Sequence, residues 1–564
     1  MMRFLVVPGA LVAFAGASLA AQQPVTAPAP PRADLIVTNA RIYTVDDSRP
    51  RAAAMAIRDG RVQFVGSDRE VLALKGPATR TLDAGGNTVI PGMIDAHAHL
   101  LNLGQSLRTV SLVGTTSYDE VVQRVAARAR TTPPGQWILG RGWDQNKWGD
   151  TRFPSHEALS RAVPNNPVVL TRIDGHAILV NAAALRAAGV TAAAKDPSGG
   201  RVERAANGEP TGVFIDNAKA LVERFVPAPT RDDLKNATLA AIAESNRWGL
   251  VGLHDAGEPR NVIDIFEELA KAGQFNLRAY VMVGDDSAAI AHYFARGPQS
   301  GLYDNRLWIR SIKLYADGAL GSRGAALLDP YADDPKNNGL LLSAPEHIRD
   351  VATRGLRAGF QINTHAIGDR GNRVVLDAYA AALAAVPAAD HRFRIEHAQV
   401  ISHDDIPRFA KLGVIPAMQG VHQTSDMYWA PTRLGYARTL GAYAWRALMN
   451  TGVVIPNGSD FPVEAVNPLL SFHSAVSRQD AADWPPGGWF PEQRFTRDEA
   501  LKSMTIWPAY ASFQEQFTGS LTPGKLADFV ILDRDIMTVP DAEILGTNVV
   551  ATYIGGRPVF ERNR

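Results

Sequence analysis

The sequence predicts an α/β fold: a (β/α)8 TIM-like barrel with a large insertion after its first strand and a small β-sandwich domain formed by both termini. Eight apolar, strand-like runs alternate with Ala- and Leu-rich helical stretches in the middle of the chain, as expected of βα units in a parallel sheet. About 150 residues separate the first and second runs, far more than an ordinary βα connection contains. Short alternating segments are concentrated near both ends of the chain.

The first 33 residues are predicted to lie outside the folded part. A short basic start precedes an apolar run from Phe4 to Leu19, and small residues follow it. These features are typical of a secretory signal, and the run is shorter than the ~20 residues that a membrane-spanning helix needs. We therefore expect a signal peptide over 1–21, a disordered linker over 22–33, export to the periplasm or beyond, and no stable membrane span after cleavage. An uncleaved anchor helix is the alternative.

Both ends of the remaining chain are rich in predicted strands. Alternating apolar and polar residues bounded by turn residues indicate antiparallel pairing. These segments are Leu35–Val37, Arg41–Val45, Arg61–Val65, Asp528–Leu532, Asn548–Ile554 and Arg557–Phe560. They predict a β-sandwich domain over 34–88 and 515–564.

The middle of the chain, 89–514, is predicted to form the barrel. Its eight strands centre near Val89–Asp95, Gly249–His254, Leu277–Val283, Ile309–Tyr315, Gln361–His365, Arg392–His397, Val414–Gln419 and Val453–Asp460. The long first connection predicts an inserted segment at about 105–235. Active sites of such barrels lie at the carboxyl ends of the strands, so this insertion is expected to cover the site as a cap.

Composition excludes several classes of function. The 564 residues are 46% hydrophobic and 20% charged, with a formal net charge of +1, which suits a large globular protein without a strongly charged partner. No segment has the basic and aromatic pattern of a nucleic-acid groove. The chain has no cysteine, so disulfides, thiolate nucleophiles and sulfur-ligated zinc are excluded. A bound metal must therefore be held by histidine, carboxylate or modified lysine.

Six side chains that could bind metal fall at the ends of five predicted strands. His97 and His99 stand two residues apart on the first strand, so both imidazoles project from the same face. The others are Lys313, His365, His397 and Asp460, at the ends of the fourth, fifth, sixth and eighth strands. A single histidine at a strand end is more often structural, but the full set indicates a metal site.

The motifs around these residues resemble those of the amidohydrolase superfamily, specifically its family-3, YtcJ-like branch, which includes N-substituted formamide deformylases. The resemblance runs from about Ala33 to the C-terminus. Its motifs are Pro91–His99, Lys313 through Asp317-Gly318 to Arg323, Thr364–Asp369, Glu396–Ala398, Gly458–Pro462 and Gly519–Asp528.

The resemblance implies two divalent metal ions, with zinc expected. The more buried ion would be bound by His97, His99 and Asp460, and the more exposed one by His365 and His397. Lys313 would be carboxylated and would bridge both ions, because an ammonium group is repelled by cations whereas a carbamate is anionic and presents two oxygens. An uncarboxylated Lys313 beside a mononuclear site is the alternative.

The implied chemistry is hydrolysis of a C–N bond of amide or N-formyl type. A hydroxide that bridges the metals would attack the carbonyl, and Asp460 would take the proton of the water and pass it to the leaving nitrogen. Asp460 and Lys313 are thus the expected catalytic residues. Hydrolysis of an ester, lactone or carbamate by the same site is one alternative, and a non-catalytic metal-binding protein is another.

Other polar and aromatic residues near the strand ends are candidates for binding a small-molecule substrate. They are His176 and Trp143 in the insertion, Asp317 and Arg323 after the fourth strand, and Gln419 and His422 after the seventh. A loop role for His176 is equally compatible with the sequence. His254, at the end of the second strand, suits either support of the site or packing. The sequence leaves homo-oligomer formation open.

Overall fold

The computed structural model describes residues 31–562 together with Leu5 and Gly9. The signal peptide expected over 1–21 and most of the linker expected over 22–33 therefore lie outside the described residues. Within the described part of the chain the strands form four sheets: the barrel, one sheet in the insertion and two built from the terminal regions. Among the described residues, no helix is both long and apolar enough to cross a bilayer.

The barrel consists of parallel strands that pair in chain order. They are β1 Met93–Ala98, β2 Leu250–Glu258, β3 Arg278–Val283, β4 Leu307–Tyr315, β5 Gln361–Ala366, β6 Arg394–His397, β7 Ile415–Gln419 and β8 Asn457–Gly458. A short strand, Gln299–Gly301, pairs antiparallel with β4. This order is the predicted one, and the fold class is confirmed.

The segment that follows β8 is hydrogen-bonded to the end of β1. The amide of Asp460 donates to the carbonyl of His97 at 2.7 Å, and the amide of His99 donates to the carbonyl of Phe461 at 2.9 Å. Closure of the barrel is what brings the segment after β8 against the histidines of β1.

Helices cover the outside of the barrel and bury one face each. In Arg260–Lys271, for example, Val262, Phe266 and Leu269 recur at helical spacing and are buried in the barrel core. The longer helices of this layer are Leu100–Ser106, Arg231–Arg247, Arg260–Lys271, Ser287–Arg296, Pro345–Ala358, Asp369–Ala385, Ile406–Leu412, Pro468–Ser477, Arg497–Ser503 and Ile506–Ala511. The shorter ones are Leu302–Asn305, His422–Asp426, Ala430–Leu434, Tyr436–Thr439 and Trp445–Met449.

The segment between β1 and β2 forms a six-stranded sheet of its own. In spatial order its strands are Gly200–Arg204, Pro210–Asp216, Ala177–Val180, Val168–Arg172, Ile138–Trp143 and Val110–Ser111. Its helices are Tyr118–Ala129, Glu157–Ala162, Ala182–Ala188 and Ala220–Glu223. Two separate apolar clusters lie in this segment, so the insertion has cores that are distinct from that of the barrel.

Of the two terminal sheets, the first is built from N-terminal strands alone and the second combines strands from both ends of the chain. One, in spatial order, is Arg61–Gly66, Ala54–Arg58, Leu35–Thr38 and Arg80–Asp83; the other is Arg557–Glu561, Val549–Ile554, Phe529–Leu532, Thr88–Pro91, Arg41–Tyr43 and Arg51–Ala52. The single strand predicted near Val89–Asp95 is corrected to two, because Thr88–Pro91 belongs to this sheet and β1 to the barrel. Gly92 lies at the crossing, where an added Cβ would be 2.3 Å from Cγ2 of Val251.

Candidate metal centre

The ends of β1 and β8 supply the first half of the site. His97 lies on β1, His99 follows the last residue of that strand, and Asp460 lies two residues after the end of β8. Oδ1 of Asp460 lies 3.0 Å from Nε2 of His99 and 3.7 Å from Nε2 of His97. Two imidazole nitrogens and a carboxylate oxygen therefore meet at one point above the barrel.

The other two predicted histidines stand beside this group. The ring of His397, on β6, is centred 4.7 Å from that of His97 and 4.6 Å from that of His365, on β5. The tightest grouping of possible ligand atoms joins His97, His397 and Asp460, whose atoms all lie within 4.8 Å of one another. This grouping takes members from both of the ligand sets that the sequence implied, so the two sets form one continuous cluster.

Lys313 completes the cluster from β4. Its ammonium nitrogen is 3.1 Å from Nε2 of His97, and its side chain is buried. Burial lowers the pKa of this amine to about 8. The structure thus brings all six predicted ligands together at the mouth of the barrel.

A network of buried polar side chains fixes the imidazole of His97. Nδ1 of His97 is hydrogen-bonded to the carboxylate of Glu396, and Arg394 pairs with Glu396 at 2.7 Å. Arg394 also donates to the carbonyl of Ala96 at 2.6 Å and contacts Nδ1 of His254 at 2.7 Å. A carboxylate on one ring nitrogen leaves the other nitrogen of the imidazole aimed at the metal position. His254 thus supports the site rather than acting as a ligand.

Sequence reasoning did not single out Glu396 and Arg394 as functional. The signal that finds them is the strand period: residues two apart on β6 share the inward face. Gln419 plays the corresponding role for His397, because its Oε1 accepts from Nδ1 of His397 at 2.8 Å. Gln419 was predicted to bind substrate; instead its amide is buried against that histidine.

The backbone at the site is strained and tightly packed. His397 and Asp460 have φ values of 73° and 61°, a region that residues other than glycine rarely adopt. Asp95 links β1 to the segment after β8, because its carboxylate accepts hydrogen bonds from the amide of His97 at 3.0 Å and from the hydroxyl of Ser459 at 2.6 Å. An added Cβ at Gly458 would lie 2.6 Å from the nitrogen of His97, so only glycine fits there.

The chemistry of these groups fits a divalent cation. Burial lowers the pKa values of His97, His365 and His397 well below the usual range, so their imidazoles are neutral and keep a lone pair. Burial by itself would raise the pKa of Asp460, but its contact with His99 helps to hold that pKa well below the usual range. Neutral imidazoles beside an ionised carboxylate are the ligand set of zinc and similar ions.

The environment of His422 also suits a bound cation. Nε2 of His422 is buried and has no hydrogen-bond partner within the described part of the chain. It faces Oδ2 of Asp460 at 3.8 Å, which is too long for a hydrogen bond. A buried nitrogen left unpaired in this way costs stability unless an additional group satisfies it.

A cavity of about 750 Å³ lies over the cluster and is walled by both the barrel loops and the insertion. Much of its wall is apolar, including Leu107, Leu320 and Trp429. His176 and His422, two of the predicted substrate-binding residues, line it. The cavity therefore connects a potential metal centre to a space large enough for a small organic molecule.

His176 reaches the cavity from the insertion. Its ring is centred 5.4 Å from that of His365, and its Nδ1 lies 2.6 Å from Oδ1 of Asp216. Burial alone would lower the pKa of His176, but the hydrogen bond to Asp216 and the negative charges of Asp216 and Asp174 together outweigh burial and raise that pKa. Sequence reasoning missed Asp216, which is 40 residues away in the chain and meets His176 only when the insertion folds.

Besides Gln419, three other predicted substrate-binding residues do not line the cavity. Trp143 is fully buried in the core of the insertion, where its large ring packs and its Nε1 donates to the carbonyl of Leu170 at 2.8 Å. Asp317 is fully buried and accepts hydrogen bonds from several backbone amides of nearby loops. Arg323 is paired with Asp333 at 2.9 Å. All three therefore stabilise the surrounding structure.

Comparison with known proteins gives the same assignment over nearly the whole chain. Residues 80–560 match the model of a family described as the amidohydrolase family. The protein LONG AFTER FAR-RED 3 of Arabidopsis thaliana is 35% identical over 95% of this chain and 93% of its own length. The putative amidohydrolase YtcJ of Bacillus subtilis is 32% identical over 93% and 98%, and the N-substituted formamide deformylase of Arthrobacter pascens is 29% identical over 94% and 98%.

Solved structures show the same architecture. An uncharacterized metal-dependent hydrolase from Pyrococcus horikoshii superposes with a TM-score of 0.72 at 26% identity, over 90% of this chain and 99% of that one. An atrazine chlorohydrolase from Arthrobacter aurescens, solved as a complex with zinc, has a TM-score of 0.52 at 15% identity, over 93% of this chain and 95% of that one. The second likeness concerns the fold alone.

Proposed function

This chain belongs to the amidohydrolase family, and on that premise we propose that it hydrolyses a C–N bond of amide or N-formyl type in a small molecule. The observation that carries the proposal is the convergence of four histidines, a lysine and an aspartate beneath a cavity. The similarity to a formamide deformylase supports the choice of bond.

We propose that the cluster holds two divalent ions, with zinc expected. His97, His99 and Asp460 would hold one, and His365 and His397 the other. Ions bound there would supply Lewis-acid polarisation of a carbonyl and a lowered pKa of water. The cluster offers more donor groups than a single tetrahedral zinc requires, which supports the count.

Lys313 is proposed to be carboxylated. Its neutral amine would add to CO2, forming one N–C bond at the expense of a C–O π bond and releasing one proton, and the carbamate would carry one negative charge shared by two oxygens. The support is positional: the buried nitrogen lies 3.1 Å from the metal-facing nitrogen of His97. A carbamate there would link the two halves of the cluster.

Asp460 is proposed to move the proton. Its carboxylate lies at the floor of the cavity, next to His99 and opposite His422. From there it can take a proton from water and deliver it to the leaving nitrogen, which cannot depart as an anion. The hydrogen bonds that His97 donates to Glu396 and His397 donates to Gln419 keep both imidazoles fixed during this transfer.

Turnover on matched amides and esters tests the proposal. The protein is stripped with a chelator, reloaded with Zn²⁺ and assayed on N-formyl amines, N-acyl amines and esters with the same acyl groups. We expect hydrolysis of the amides or formamides that is lost on stripping and restored on reloading. Hydrolysis of esters alone, or turnover that is unaffected by stripping, would contradict the proposed function.

A further inference from the structure

Arg141 is a cation at the junction between the insertion and the metal centre. It lies on the insertion strand Ile138–Trp143 and lines the cavity. Its Nε donates to the carbonyl of Pro462 at 3.3 Å, and its Nη2 donates to the carbonyl of Ile173 at 2.8 Å. The guanidinium group is therefore fixed by one carbonyl from the barrel and one from the insertion.

This guanidinium has no acidic partner of its own. No carboxylate of residues 31–562 lies within 4.0 Å of it, and its Nη1 makes no hydrogen bond to them. Arg172, in the same cavity wall, is paired with Asp144 at 2.6 Å and with Asp174 at 2.5 Å. Buried cations are normally paired because desolvation is costly. Arg141, which is half-buried, differs from Arg172 in that no carboxylate pairs with it directly, and Asp460 and Asp174 act on it only at longer range.

The unpaired guanidinium is close to the reacting end of the cavity. Pro462, which holds its Nε, is only two residues after Asp460, and the charge of Asp460 acts on Arg141 electrostatically. Burial lowers the pKa of Arg141, yet a guanidinium stays charged at any physiological pH. An anion bound there would lie next to the group that is hydrolysed.

We propose that Arg141 binds a carboxylate of the substrate, so that the substrate is a small amide or formamide that carries one negative charge. The inference rests on the proposed function for the bond that is broken. One carboxylate matches one guanidinium, which can form paired hydrogen bonds with it. The carboxylates of Asp426 and Glu464 line the same cavity and repel any anion, but they repel a doubly charged phosphate more strongly than a singly charged carboxylate.

A pair of substrates that differ only in the carboxylate tests this inference. N-formylphenylalanine and N-formylphenethylamine share the aromatic ring and the formamide. We expect Arg141→Gln to raise KM for the first about 10- to 100-fold, the range of a lost charge-assisted pair, and to change KM for the second less than about twofold. Arg141→Lys, which keeps the charge but loses the fork geometry, should give an intermediate KM.

Lys147→Gln is the matched control. Lys147 lines the same cavity but is exposed, so loss of its charge should leave both KM values nearly unchanged. An equal fall in kcat for both substrates in Arg141→Gln would overturn the inference, because the side chain would then act on the transition state or on the cap. Equal KM changes for both substrates would overturn it as well.

A binding measurement separates this inference from the proposed function. Calorimetric titration with 3-phenylpropionate, which has a carboxylate and no amide, requires no turnover. We expect wild type and Lys147→Gln to bind it and Arg141→Gln to bind it at least about 10-fold more weakly. Absence of amide hydrolysis with this binding difference intact would refute the proposed function alone. Equal binding by all three proteins would refute the role of Arg141.

Discussion

The barrel mouth and the insertion contribute to the same cavity in different ways. The barrel supplies all six candidate ligands, from the ends of its strands. The insertion supplies none of them, has its own apolar cores and presents His176 and Arg141 to the cavity from above. On this difference we propose that the barrel determines the chemistry and that the insertion selects the substrate. Variants in the two regions should then fail in different ways.

The largest effect is expected at Asp460, on the barrel side. Asp460→Asn keeps the size of the side chain but cannot accept a proton, so kcat should fall by ~10²–10⁴. Metal content measured on the same sample is the control, because Asp460 is also a candidate ligand. A variant that keeps its metal and most of its turnover would show that Asp460 is not the proton carrier.

Trp143→Ala tests whether the tryptophan stabilises the core of the insertion or binds substrate. The ring is fully buried in an apolar cluster, so its loss should lower the free energy of unfolding by about 3–5 kcal/mol. Thermal or denaturant unfolding measures this change. Substrate ranking should stay the same in the folded variant, and a selective change in ranking would restore Trp143 as a substrate residue.

Glu396→Gln tests whether the hydrogen bond between Glu396 and His97 supports the candidate metal site. Without a carboxylate on its Nδ1, His97 loses basicity and orientation, so metal affinity should fall about 10- to 100-fold. Titration with a competing chelator measures it. Gln423→Ala, a change at a buried amide on the helix His422–Asp426, serves as the control. Unchanged metal affinity in Glu396→Gln would mean that the hydrogen bond does not tune the site.

The smallest of these effects is expected at His176, on the insertion side. His176→Ala should change KM and the ranking of substrates by up to about 10-fold while metal content stays the same, because the ring contacts the cavity and Asp216. Asp216→Asn should give a weaker change in the same direction. Loss of metal, or an equal loss of kcat for every substrate, would show instead that His176 acts in metal binding or in catalysis.

The sequence predicts the barrel side of this comparison better than the insertion side. Strand periodicity places His97, His99, Lys313 and His365 on inward faces, and barrel closure then brings Asp460 to them. The role of Glu396 follows from the same period. The eighth strand, Asn457–Gly458, is shorter than predicted at both ends, and the positive φ of Asp460 accounts for its C-terminal end only.

The insertion side depends on contacts that no local pattern specifies. Trp143 could face a cavity or a core, and only the packing of the six-stranded sheet decides that it is buried. Asp216 and Arg141 acquire their roles from partners that are distant in the chain. Asp317 and Arg323 follow a predicted ligand closely, yet their hydrogen bonds are to loops rather than to the cavity.

Metal content per chain, measured by elemental analysis of wild type and of Lys313→Ala, tests the central claim most directly. A binuclear centre bridged by Lys313 predicts close to two divalent ions in wild type and the loss of at least one in the variant, with turnover lost as well. A single tightly held ion in wild type that is unchanged in Lys313→Ala would contradict the binuclear centre.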